Sequence, residues 1–136
     1  MSTAVRLLTY DDLCQTPDDG NRYEIIGGEL IVSPSPNLRH QDVVGDLHVL
    51  IRAHLRSAPQ PLGKVVLSPF DIRLSPHDIV VPDLLFIRQD RLEFLESGRY
   101  AMGPPDLVVE VISPSSHKSD PGAKLQLYAR SGIPEY

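Results

Sequence analysis

Two acidic residues lie in segments that are otherwise strongly apolar. Glu110 interrupts the aliphatic run Asp106–Ile112, and Asp83 stands directly after Pro82 at the start of the run 84–87. Burying an unpaired carboxylate is so costly that it normally gains a partner, binds a metal ion or takes up a proton. Asp83 is also compatible with an ordinary turn acid at the start of a strand, and Glu110 with an ion pair to a helix cation.

Among the basic residues of the predicted elements, Lys124 is the evident candidate to pair with Glu110. At 100° per residue it shares the face of a helix with Leu127 and Tyr128. The helix directly follows the strand that carries Glu110, so we expect the ammonium group to point inward. The alternative is a lysine whose aliphatic stem covers apolar surface while its head reaches water.

Two further polar residues could belong to a site, but each also has an ordinary structural explanation. His40 lies near the centre of the apolar arc of a long helix, where a histidine is more often a satisfied core residue than a ligand. Glu24 lies among isoleucines on the mixed face of a hairpin, and by itself it is predicted to be a surface acid on an edge strand. The spacing of the remaining histidines does not match a zinc site.

The elements that must position these residues follow from periodicity and turn chemistry. Gly27-Gly28 separates two β-rich runs, which predicts a two-residue hairpin that pairs Ile26 with Glu29 and Tyr23 with Val32. Apolar spacing predicts a long helix over 37–57 with Val43, Val44, Leu47, Leu50, Ile51 and Leu55 on its buried face. Strands are predicted over 64–68, 70–74, 79–87 and 106–112, the last as a central strand covered on both faces, and a helix from Asp120-Pro121 to about Arg130.

Composition limits the function classes. The 136 residues are 41% hydrophobic and 23% charged, which predicts one globular domain over 1–136. The net charge is −5, and no basic segment indicates a dedicated nucleic-acid surface. No apolar run is long enough for a membrane span, and the single Cys14 excludes an internal disulfide, so a cytoplasmic location is expected.

The order of these motifs resembles the PD-(D/E)XK nuclease superfamily and, more closely, the Uma-two (Uma2) family of restriction endonuclease-like proteins, which is common in bacteria. The resemblance covers nearly the whole chain. The segments that carry it are Arg22–Leu30, Ser33–His40, Val81–Leu84, Pro105–Pro114, Asp120 with Lys124 and Tyr128, and Gly132–Tyr136.

The resemblance implies an α/β fold, with a three-layer α/β/α restriction endonuclease-like core around a short mixed central sheet and an N-terminal β-hairpin. It implies that Asp83 and Glu110, with the backbone carbonyl of Val111, bind a divalent metal, and this hard oxygen set suits Mg²⁺ or Mn²⁺. The superfamily's lysine position is occupied by Ile112, so Lys124 is the candidate for the catalytic lysine. The remaining candidates for an additional site are Glu24, His40, Asp120 and Tyr128.

The implied function is that of a metal-dependent DNA endonuclease, with DNA as substrate and a homodimer as the expected assembly. Two alternatives stay open: a catalytically inactive nuclease-fold module that binds protein or nucleic acid, and a hydrolase of another phosphoester. Family members usually continue past Tyr136, so the resemblance also implies that the family's C-terminal strand and tail are missing here.

Overall fold

The computed structural model describes residues 4–112 and 121–136 of the chain. Within these residues a short 3₁₀ helix spans Gln89–Leu95. The other elements, in chain order, are α1 (Tyr10–Leu13), β1 (Arg22–Ile26), β2 (Glu29–Ser33), α2 (Leu38–Ser57), β3 (Gly63–Leu67), β4 (Asp71–Ser75), β5 (Asp78–Val80), β6 (Leu84–Arg88), β7 (Tyr100–Ala101), β8 (Leu107–Val109) and α3 (Pro121–Arg130).

The described strands form two sheets. One is a mixed sheet in the order β2-β1-β5-β4-β7, where only β4 and β7 run parallel, and the other is the antiparallel sheet β3-β6-β8. Successive side chains of β6 point to opposite faces of its sheet, and each face packs against a different helix. Phe86 faces α2, whereas Leu85 and Ile87 face a core that contains Leu127 and Tyr128 of α3. The α/β class is therefore confirmed, but the strands are divided between two sheets rather than joined in one.

The hairpin forms in the predicted register. Tyr23 pairs with Val32 and Ile26 with Glu29, while Gly27 and Gly28 have φ values of 59° and 79° at the turn. Both glycines adopt the positive φ that a tight hairpin turn requires. The prediction that Glu24 is a surface acid on an edge strand is wrong, because β5 pairs with the other side of β1 and leaves Glu24 fully buried.

The predicted strand 79–87 is in fact two strands that belong to different sheets. Pro82 lacks the N–H group that a continuous ladder would need. At this break the N–H group of Val81 donates to the Glu24 side chain (2.8 Å), and the carbonyl of Asp83 accepts from the N–H group of Ser68 (3.1 Å). The segment 81–83 thus joins the two sheets and brings Asp83 between them.

Two further predictions need correction. The strand predicted over 106–112 ends at Val109, so Glu110 follows the strand instead of interrupting it, and Ile112 is exposed. On α2, Val44 is buried but Val43 and Leu50 are exposed, because the sheet covers only one side of the apolar arc. Among the described residues, no helix has the length and apolar character to cross a bilayer.

Candidate functional site

A buried lysine holds two carboxylates together. Lys124 on α3 donates a hydrogen bond from Nζ to Oε2 of Glu24 (3.0 Å) and another to Oε1 of Glu110 (2.9 Å). The hydroxyl of Tyr128, one helical turn further along, donates to the same Oε1 of Glu110 (2.7 Å). The inward direction predicted for Lys124 is confirmed, and its side chain is only 10% exposed.

A second group of contacts surrounds Asp83, which is 1% exposed. Its Oδ1 accepts a hydrogen bond from Nη2 of Arg22 (2.7 Å), and its Oδ2 accepts one from the N–H group of Val111 (2.7 Å). Nε2 of His40 lies 3.2 Å from the same Oδ2. His40 reaches this position because Asn37 caps α2 and accepts from the N–H group of His40, which places the histidine in the first turn.

The two groups adjoin each other, and the charges of Glu110 and Glu24 both act on Arg22. Arg22 and Glu24 are two residues apart on β1 and therefore lie on the same face of the strand. Glu110 precedes Val111, whose N–H group binds Asp83. We call this set the acid–cation network, and it consists of Arg22, Glu24, His40, Asp83, Glu110, Val111, Lys124 and Tyr128.

Burial and charge shift several pKa values in the network. Burial raises the pKa of Glu110, and nearby Glu24 adds to this against the opposing effect of Lys124. Burial alone would lower the pKa of Lys124, but Glu24 and Glu110 outweigh it and raise the value. The pKa of Arg22 is raised by Asp83 against the same opposing effect of burial. Burial, followed by the charge of Glu110, also raises the pKa of Tyr128. The raised pKa values of Arg22 and Lys124 mean that both of these cations stay charged.

A cleft of about 720 Å³ opens beside Asp83 and Arg22. Its other polar lining residues include Asp18, Asn21, Gln41 and Asp71, and apolar side chains complete the wall. Burial, with a smaller contribution from Glu24, raises the pKa of Asp71. The cleft gives a ligand direct access to the Arg22–Asp83 pair, whereas Glu24, Glu110 and Lys124 do not line it.

The donor types of the network, though not their present arrangement, suit a divalent cation. Three carboxylates provide the hard oxygen ligands that Mg²⁺ and Mn²⁺ prefer, and the buried Oε1 of Glu24 accepts no hydrogen bond within the described ranges, although Nζ of Lys124 lies 2.9 Å away. In the structure these carboxylates are instead paired with the protein's own cations, Arg22 and Lys124. In residues 4–112 and 121–136 no three His, Cys, Asp or Glu side chains are grouped as a ready ligand set.

The structure brings together most of the residues selected from the sequence. Asp83, Glu110, Lys124, Glu24, His40 and Tyr128 all belong to the network, and Val111 contributes its N–H group. Asp120 lies outside the described residues. Arg22 was missed as a site residue. Its position two residues before Glu24 on the same strand face is the signal that could have identified it.

Comparison with known proteins is consistent with this architecture. Residues 8–136 match the model of the Uma2 family, described as "Putative restriction endonuclease". A crystal structure from Anabaena variabilis ATCC 29413, described as a "putative nuclease belonging to DUF820", has a similar fold. The two share 22% identity with a TM-score of 0.75 over 93% of this chain and 70% of the other. A comparison with curated proteins finds no match.

Proposed function

The chain belongs to the Uma2 family, and from this premise we propose that it is a nuclease that hydrolyses phosphodiester bonds of DNA with the help of Mg²⁺ or Mn²⁺. The fold is restriction endonuclease-like, as in the Anabaena structure. The observation that carries the proposal is that the buried Asp83 lines an open cleft and accepts a hydrogen bond from Val111, the residue directly after Glu110, which is itself bound to Lys124.

In this proposal Asp83 and Glu110 hold the cation together with the backbone carbonyl of Val111. When bound, such a cation lowers the pKa of a bound water molecule and stabilises negative charge on the reacting phosphate. The N–H group of Val111 fixes the Asp83 carboxylate, and the hydroxyl of Tyr128 fixes Glu110. These hydrogen bonds preorganise both acids, so that little reorganisation is needed during the reaction.

Lys124 acts in this scheme as a positively charged donor that positions Glu110. Its ammonium group binds Glu24 and Glu110 at the same time, which fixes the position of Glu110 relative to α3. Glu24, which additionally binds the N–H group of Val81, serves as the anchor of this lysine.

The decisive experiment is plasmid nicking by the purified chain with Mg²⁺ or Mn²⁺. We expect nicking by the unmodified protein and its loss in D83N and E110Q, because each removes a carboxylate charge with little change in shape. The matched control is D90N, since the side chain of Asp90 is 65% exposed and pairs with Arg88 at the surface. Nicking that persists in both D83N and E110Q would refute the assignment of the site.

A second candidate function is a non-catalytic binding module. It is favoured by one observation: the buried acids are already paired with Arg22 and Lys124, so the network is complete as an ion-pair cluster. A module of this kind would bind DNA or protein without cleaving the chain. Binding of a DNA duplex that leaves the duplex intact with either cation would favour this candidate over the nuclease.

Assembly and location complete the proposal. Nucleases of this fold often pair to cut both strands, and we therefore propose that the chain forms a homodimer. We also propose that it acts in the cytoplasm. The acidic composition, with a net charge of −5, means that DNA contacts must depend on the cation, a few local arginines or a second subunit. Sedimentation of the chain with and without duplex DNA measures the assembly directly.

A further inference from the structure

Asp83 is fully occupied by groups of the protein itself. Its Oδ1 binds Arg22 at 2.7 Å, and its Oδ2 receives the N–H group of Val111 at 2.7 Å and lies 3.2 Å from His40. Arginine stays protonated at any physiological pH. A divalent cation at Oδ1 would share this oxygen with the guanidinium, and two like charges in a buried place repel strongly. Arg22 and a cation therefore compete for Asp83.

Arg22 is the cation of the network that can leave. Its side chain is 19% exposed and lines the cleft, whereas Lys124 is 10% exposed, is held by two carboxylates and does not line the cleft. The described hydrogen bonds of Arg22 both use Nη2, which binds Asp83 and, at 3.2 Å, the hydroxyl of Ser68. A short rotation would carry the guanidinium away from Asp83 and into the cleft.

The fork of a guanidinium matches the oxygens of a phosphate group, and it binds phosphate and carboxylate in the same bidentate manner. The negative charge on a phosphodiester that enters the cleft would therefore offer Arg22 an alternative to Asp83. Among the described residues that line the cleft, Arg22 is the cationic one, and the aspartates Asp18, Asp71 and Asp83 belong to the same lining. Arg22 is therefore the group in this described lining that attracts a phosphate.

We propose that Arg22 is a substrate-operated counter-ion of the metal site. In the resting protein it neutralises Asp83, and when a phosphodiester of the substrate enters the cleft it transfers to the phosphate and leaves Asp83 open to the cation. The inference rests on the proposed function and adds to it a coupling between substrate and cation. Because such coupling is reciprocal, the cation must also strengthen phosphate binding by the same factor.

The test is calorimetric titration of the full chain with Mn²⁺, with and without a phosphorothioate DNA oligonucleotide that resists cleavage. Heat from Mn²⁺ and oligonucleotide alone is subtracted. The variants are R22Q and the control R91Q, which removes the same charge from another partly buried arginine–aspartate pair, Arg91 with Asp106 (2.8 Å). Circular dichroism and urea unfolding establish that each variant is folded.

We expect R22Q to bind Mn²⁺ about tenfold more tightly than the unmodified chain, within the usual range of allosteric coupling, and R91Q to change the affinity by less than about threefold. The oligonucleotide should tighten Mn²⁺ binding to the unmodified chain and to R91Q but not to R22Q. An R22Q protein that binds Mn²⁺ no more tightly than R91Q would overturn the inference.

The remaining outcomes also discriminate. If R22Q does not fold, the unmodified chain decides, because Mn²⁺ affinity that the oligonucleotide leaves within twofold of its starting value contradicts the coupling. Tight Mn²⁺ binding and DNA nicking without any effect of R22Q would leave the nuclease function intact and refute only the role of Arg22. If R22Q binds Mn²⁺ but the unmodified chain does not bind it even with the oligonucleotide, Arg22 is not released by substrate, and both the coupling and the nuclease function are contradicted. If no protein binds Mn²⁺ at millimolar concentration, both proposals fail.

Discussion

Replacement of Lys124 by methionine is the sharpest test of how the network is held together. Methionine retains the length and most of the apolar stem of lysine and removes the ammonium group. The variant leaves Glu24, which is fully buried, and Glu110, whose side chain is 12% exposed, without their shared cation. Glu24 keeps the N–H group of Val81, and Glu110 keeps the hydroxyl of Tyr128.

The expected loss follows from the uncompensated charge. Removal of one partner from a buried ion pair typically destabilises a protein by about 3–5 kcal/mol. Two carboxylates lose their partner here, but each retains one donor, so we expect K124M to lower the free energy of unfolding by about 4 kcal/mol. A domain of this kind is stable by about 5–15 kcal/mol in total. The variant should therefore still fold, with a midpoint about 2 M lower in urea at a typical slope of about 2 kcal/mol per molar.

The assay is equilibrium unfolding in urea at pH 7, with K64M as the matched control. Lys64 is exposed on β3, and its replacement should change stability by less than about 0.5 kcal/mol. The triple variant K124M/E24Q/E110Q should recover most of the loss, since neutral amides remove the buried charge. A loss below about 1 kcal/mol in K124M, or no recovery in the triple variant, would refute the electrostatic explanation.

The dependence of this loss on pH is a second signature of the same cause. Without Lys124 the folded-state pKa of Glu110, already raised by burial, lies further above its unfolded value. The folded protein then binds more protons than the unfolded chain, so its stability increases as pH falls towards the unfolded value of about 4.3. The difference in stability between K124M and K64M should therefore shrink between pH 7 and pH 4.5. A difference that stays constant would indicate lost packing instead.

Three further predictions concern other parts of the structure. Y128F removes the hydroxyl that binds Oε1 of Glu110 and should lower stability by about 1.5–3 kcal/mol in urea unfolding. H40A should change the stability in urea unfolding by less than K124M does, because Asp83 keeps Arg22 and the N–H group of Val111 when His40 is removed. G63A should prevent stable folding, as judged by circular dichroism, since an added Cβ would collide with the backbone oxygen of Ile87 at a φ of 146°.

Local features of the sequence predicted much of the fold. The Gly27-Gly28 turn determines the hairpin register because only a short loop with positive φ connects two adjacent antiparallel strands so tightly. The apolar periodicity predicts the start of α2 within one residue of its observed position. These signals succeed because the interactions behind them join residues that are close in the chain.

The predictions that proved wrong concern contacts between segments that are far apart in the sequence. The run 79–87 is β-rich on both sides of Pro82, which is a local signal for a break, but nothing local states that β5 and β6 belong to different sheets. The burial of Glu24 depends on pairing of β1 with β5, more than fifty residues later. On α2, Val43 and Leu50 are apolar yet exposed, since coverage of a helix face is decided by the neighbouring elements and not by the helix itself.

The sequence by itself determined which residues could form the site: acids in apolar surroundings, an inward lysine and a motif order that resembles one family. Tertiary structure alone decided how these residues are paired. Arg22 reaches Asp83 across sixty-one positions, and Lys124 reaches Glu24 across one hundred. The physical reason is that a buried charge requires a partner of opposite sign, while the sequence does not state which distant cation the fold will place beside it.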